Sequence, residues 1–126
     1  MPLTKLSSDD KYDPDGPLQR LLDLDGEVLD QGEGYWVTIR VTRVEPDKQR
    51  PHGIDYSLCL LSPDDECLLR FDNAHPIRVG RELTQTKDHV HKSGRVEPYI
   101  YSDPEKLMND FWSAVDEILK EKGVQP

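Results

Sequence analysis

The chain has 126 residues, 35% hydrophobic and 33% charged, with a formal net charge of −9, which suits one domain with a single modest core. Such acidity excludes broad, nonspecific binding to nucleic-acid backbone, which depends on a basic face, and leaves room only for a local basic cleft. No run approaches the ~20 apolar residues of a membrane span, and the N-terminus lacks the basic and apolar regions of a signal peptide, so a cytoplasmic protein without membrane contact is expected.

Residues 1–18 contain Ser7-Ser8-Asp9-Asp10 and Asp13-Pro14-Asp15-Gly16-Pro17 and few apolar positions. They read as a mobile acidic arm, because they bury too little surface to offset their ordering entropy, and residues 19–124 read as one α+β domain. Leu21-Leu22-Asp23-Leu24, the turn dipeptide Asp25-Gly26 and Glu27-Val28-Leu29 predict a short strand and turn. From Tyr35 to Val44 the period is two: Tyr35, Val37, Ile39 and Val41 share one face, and Trp36, Thr38, Arg40 and Thr42 the other. Glu45-Pro46-Asp47 ends that strand.

Alternation resumes at Ile54, Tyr56, Leu58 and Leu60. The turn residues Ser62-Pro63-Asp64-Asp65-Glu66 then join it to Cys67–Phe71 as an antiparallel hairpin. Cys59 and Cys67 lack Cys-x-x-Cys spacing, so buried free thiols are the default, with a hairpin disulfide or metal ligation as alternatives. A second hairpin is predicted from Asp88–Lys92 and Arg95–Tyr101 around Ser93-Gly94. Finally, Leu107, Met108, Phe111, Trp112, Val115, Ile118 and Leu119 form a helical stripe. Ser102 or Asp103, with Pro104 and Glu105, supplies its start signal, and Trp112 reads as core. The expected fold is therefore α+β: a twisted antiparallel sheet of about five or six strands, covered on one face by a C-terminal amphipathic helix.

Three of the four histidines fall between Asp72 and His91, and from Arg78 to Arg95 five basic residues stand against two acidic ones. His89 and His91, two apart on a strand, point to one face and can approach the same ion or phosphate, with Asp88 a candidate to orient one of them. Asp72 and His75 lie just past a strand end, where loops carry functional groups; Asn73 reads as a turn-former. The catalytic candidates are thus His89, His91, His75 and Asp72, and the anion-binding candidates Lys87, Lys92, Arg95, Arg78 and Arg81. No cofactor is predicted, although His89, His91 and Asp72 are candidate ligands for a divalent metal. The phosphate-loop, dinucleotide, nucleophile-elbow and zinc-protease motifs are absent.

The segments Arg50-Pro51-His52-Gly53-Ile54-Asp55-Tyr56-Ser57-Leu58, Arg70-Phe71-Asp72-Asn73-Ala74-His75, Asp88-His89-Val90-His91, Glu97-Pro98-Tyr99, and Leu107 with Asp110-Phe111-Trp112, taken in this order, resemble the TumE family of toxin components of toxin–antitoxin pairs. The resemblance spans roughly residues 20 to 122 and leaves out the acidic arm. It implies a small toxin whose partner is a separately encoded DNA-binding antitoxin, and it strengthens Asp72, His75, His89 and His91 as site residues without assigning their roles. Val90 stands where similar sequences commonly carry a polar or basic residue. Two readings follow: an RNA-directed nuclease that uses the histidines as acid and base, and a non-catalytic protein- or metal-binding module with an acidic surface. An exposed strand edge also offers a seam for a homodimer.

Overall fold

The computed structural model describes residues 16–48, 50–73 and 88–124, and the backbone alone of 78–79 and 82–83. Most of the predicted N-terminal arm, together with His75, Arg81 and Lys87, lies outside the described residues; Arg78 is described only as backbone.

Helix α1 (Pro17–Leu22) opens the described chain, with proline in its first turn. This corrects the strand expected at Leu21–Leu24. With Pro17 at its start, these residues form one and a half helical turns, and Leu21 is buried in the core. Strands β1 (Val28–Gly32), β2 (Tyr35–Arg43), β3 (Ile54–Leu61) and β4 (Cys67–Asp72) follow as an antiparallel meander. A two-stranded hairpin, β5 (Arg78–Val79) with β6 (Glu82–Leu83), intervenes before β7 (His89–Lys92) and β8 (Arg95–Pro98) complete the main sheet. The order is β1-β2-β3-β4-β7-β8, six strands as expected, and α2 (Pro104–Glu121) closes the fold.

Period-two patterning decides which side of the sheet each residue occupies. Val37, Ile39 and Val41 of β2, Ile54, Tyr56, Leu58 and Leu60 of β3, and Leu69 and Phe71 of β4 are buried in one cluster with Leu107, Phe111, Val115, Ile118 and Leu119 of α2. Each such side chain contributes about 1.5–3 kcal/mol of burial free energy, which is why the helix lies across the sheet instead of standing alone. Phe111 sits at the centre, edge-on to Phe71 at 5.6 Å and to Trp112 at 5.5 Å. Trp112 is therefore a packing residue, as its position on the stripe predicts. At the helix start the cap is Asp103, whose carboxylate accepts from the Lys106 amide at 2.8 Å.

The β7–β8 turn uses Ser93 and Gly94, both with positive φ (51° and 78°), the geometry of a two-residue hairpin matched to strand twist. That turn sets the register His89↔Pro98 and His91↔Val96. Cys59 and Cys67 are joined as a disulfide between β3 and β4, which corrects the expectation of free thiols. Sequence spacing did not reveal that a bulge near Leu61 would bring the two strands' cysteines within bridging reach, with Cα atoms 6.2 Å apart.

Candidate functional site

With α1 and α2 on one side, the opposite face of the sheet collects the polar members of each strand. Its rows are read from the register. One runs Arg40, Ser57, Asp72, His89 across β2-β3-β4-β7, and the next runs Thr38, Cys59, Arg70, His91. Asp72 and His89 are thus direct cross-strand partners, and Arg70 faces His91. Such neighbours are close enough for their side chains to interact.

Asp72 is the centre of this arrangement. Its carboxylate is 4% exposed; Oδ1 lies 2.6 Å from Nε2 of the fully buried His89, and Oδ2 lies 3.9 Å from Nε2 of His91, which is 37% exposed. Arg70 Nη1 stands 3.9 Å from the same Oδ2. The two imidazoles pack edge to face at 4.8 Å. One carboxylate therefore connects a buried ring to a solvent-facing one, with a guanidinium beside it.

Asn73 explains why Asp72 holds its place. Buried just past the end of β4, its side chain accepts from the Tyr56 amide at 2.9 Å and donates to the Ile54 carbonyl at 2.8 Å, extending the β3–β4 ladder through a side chain. The turn role expected for Asn73 is corrected accordingly. The expected role of Asp88 is corrected too. Alternation turns it to the helix side of β7, where Tyr56 donates its hydroxyl to Asp88 Oδ2 at 2.7 Å. Burial raises the Asp88 carboxyl above its ordinary range, against the lowering influence of Tyr56 and His52. Burial and Asp88 together push the Tyr56 phenol far above its ordinary value. Asp72, not Asp88, is the carboxylate that meets the histidines.

The predicted cations divide. A cleft of about 260 Å³ is bordered by Arg70, His91, Lys92, Arg95 and the Ser93-Gly94 turn. Lys92 also lies 3.5 Å from Glu117 of α2, and Arg95 3.8 Å from Glu97; both contacts are exposed and weak, so they yield readily to a stronger anion. Arg70 was not singled out from the sequence, because a lone arginine in a strand looks like an ordinary solvent-facing residue. Its i, i+2 spacing to Asp72 is the signal that it shares the carboxylate's face. Val90 packs against the core on the opposite face from the imidazoles, which accounts for an apolar residue between two histidines.

Asp72, His89 and His91 each offer one ligand atom, all within 4.8 Å of one another. Their donor set, two imidazoles and a carboxylate, suits several divalent transition metals. The 2.6 Å contact between Asp72 and His89 is shorter than the roughly 3.3 Å separating two donors on one tetrahedral ion with bonds of ~2.0–2.1 Å, so a metal would have to part that pair.

The fold and the site together define a small α+β protein whose buried Asp72–His89 pair adjoins His91, which lines a cleft with Arg70, Lys92 and Arg95. The chain belongs to the TumE toxin family, whose model, Toxin TumE, matches residues 5–119. The match takes in most of the N-terminal stretch that the motif resemblance leaves out. No curated protein and no solved structure matches the chain. Among the described residues, no helix is long and apolar enough to cross a membrane.

Proposed function

We propose that this toxin is a metal-independent endoribonuclease, paired with a separately encoded DNA-binding antitoxin, in which His91 is the imidazole that meets the substrate. The observation that carries this reading is the graded exposure around one carboxylate: His89 fully buried, Asp72 nearly so, and His91 open to solvent. In this mechanism His91 takes the proton of a ribose 2′-hydroxyl. The freed oxygen attacks the adjacent phosphorus, the bond to the 5′-oxygen breaks, and the products are a 2′,3′-cyclic phosphate and a 5′-hydroxyl end. Asp72, whose Oδ2 stands 3.9 Å from Nε2 of His91, stabilises the imidazolium as it forms. His89 is a positioning residue that holds Asp72. Arg70 faces the charge that develops on the phosphorane, aided by Lys92 and Arg95 at the cleft rim. His75 is the candidate to protonate the leaving oxygen.

The test is cleavage of RNA by purified protein with and without EDTA, alongside His91→Ala. The expected result is equal cleavage under both conditions, cyclic-phosphate ends, and a loss of about 10²–10⁴-fold in the variant at unchanged folding. Cleavage abolished by EDTA and restored by a divalent ion would move the assignment to a metal-dependent nuclease with Asp72, His89 and His91 as ligands. That second reading is favoured specifically by their mutual proximity. No cleavage under any condition would leave the binding-module reading in possession.

A further inference from the structure

The sheet face that carries His91 extends well beyond the cleft, and its composition differs from the rest of the surface. Among the described residues, three of the four exposed large hydrophobic ones lie on it by register: Val28 (58% exposed) and Trp36 (39%) on the β1–β2 side, and Val96 (43%) on β8. Between them stand Arg40 and Arg70. Helix α2, on the other face, carries five acids (Glu105, Asp110, Asp116, Glu117, Glu121) against two lysines (Lys106, Lys120). In a chain of net charge −9, the strand face opposite the helices is therefore where arginine and exposed aromatic surface coincide.

Distances along the sheet follow from strand spacing. The row Thr38, Cys59, Arg70, His91 crosses three strand intervals, roughly 14 Å, and Trp36 is one same-face step beyond Thr38, placing it roughly 16 Å from His91. Arg40 lies two strands from Asp72, roughly 10 Å. Asp30, opposite Trp36, is occupied locally, accepting from the Gly32 amide at 2.8 Å.

We infer that this face is a platform for single-stranded RNA, with a base stacked on Trp36, phosphates held by Arg40 and Arg70, and the strand thereby led across the sheet to His91. The inference rests on the nuclease reading of His91 and supplies its substrate class. An indole on a sheet can stack only on an unpaired base, because a duplex keeps its bases within the helix. Alternating apolar and cationic residues match the alternation of base and phosphate in one strand. Tryptophan and arginine are also common at protein–protein interfaces, so the occupant is assigned by placement: the rows of Arg40 and Arg70 lead toward Asp72 and His91, where the nuclease reading puts the scissile phosphate.

The test uses the full chain and a fluorescein-labelled 2′-O-methyl oligonucleotide, which cannot be cleaved, in single-stranded form and as a hairpin duplex. The expected result is binding of the single strand in preference to the duplex. Trp36→Ala should weaken it on the order of 10- to 100-fold, Trp36→Phe should restore most of it, and Arg40→Ala should lower the salt dependence by about 0.7 in slope. Each variant's melting curve, matching wild type, excludes misfolding. Equal affinity for duplex, or no loss in Trp36→Ala, overturns the platform even if cleavable RNA is still cut, and leaves the nuclease reading intact. Selective binding lost in Trp36→Ala, with no cleavage of ordinary RNA, upholds the platform and sinks the nuclease. Failure of the oligonucleotide to bind, with a purified protein partner shielding Trp36 from a fluorescence quencher, overturns the inference in favour of a protein-docking face.

Discussion

Asn73 sits one residue beyond Asp72 and does the work of an additional ladder residue, its amide oxygen and nitrogen each bonded to the backbone of β3. Because both partners are buried backbone groups, Asn73→Ala strands a donor and an acceptor at once. The expected loss is about 2–4 kcal/mol, read from the urea midpoint at constant slope, with activity falling further as Asp72 loses its fixed position. His91→Ala should behave differently. With its side chain 37% exposed, it should change stability by less than about 1 kcal/mol while removing activity. The contrast separates a residue that builds the site from one that works in it.

At the scale of elements, α2 is held to the sheet by its apolar stripe, by the exposed Lys92–Glu117 contact and by a shorter polar tie. The Tyr99 hydroxyl, just past β8, donates to Asp110 Oδ2 at 2.7 Å, and Lys106 approaches the same oxygen at 3.0 Å. The Tyr99 bond, ahead of Lys106, holds the Asp110 carboxyl below its ordinary value. A depressed carboxyl contributes stability that is present above its unfolded pKa and is lost as pH falls through the folded one. Tyr99→Phe should therefore cost about 1 kcal/mol at neutral pH, discounted for the partial exposure of Asp110, and flatten the decline in melting temperature below about pH 4. Phe111→Ala, which empties the centre of the stripe, should cost about 3–5 kcal/mol, with no such pH signature.

Across the whole molecule, three phenols converge near the sheet–helix boundary. Burial pushes Tyr101 up to about 12, and Tyr56 and Tyr99 are raised further by burial and by their carboxylate partners. Raised acids favour the folded state while they are protonated. Their contribution is thus complete below about pH 10 and disappears as pH climbs through 12 and beyond. Melting temperature followed from pH 8 to 12 should fall steeply in that window, and Tyr101→Phe should remove part of the slope. The acidic surplus has a related consequence. With a net charge of −9, any RNA affinity must come from local cations such as Arg40 and Arg70, and it should weaken with salt by the few phosphates they can neutralise.

Local pattern was enough for the six-strand α+β architecture, because alternation in β2 and β3 and the 3.6-residue stripe of α2 are properties of neighbouring residues in the chain. Alternation also put His89 and His91 on one face. Alternation alone turns Asp88 away from that face, but the pairing of Asp72 with His89 comes from the β4–β7 register, and the Tyr56 contact of Asp88 from the fold that brings β3 near it. The predicted hairpin left a Cys59–Cys67 link only as an alternative to free thiols, and the bulge near Leu61 decides for it; the i, i+2 spacing of Arg70 to Asp72 is legible, but its nearness to His91 depends on the β4–β7 register. The helix at Pro17–Leu22 escaped because six residues are too few to display a period, and its stability comes from packing Leu21 into the core. Residue chemistry and periodicity are written along the chain, whereas the burial of His89 and the exposure of His91 arise from contacts between distant segments.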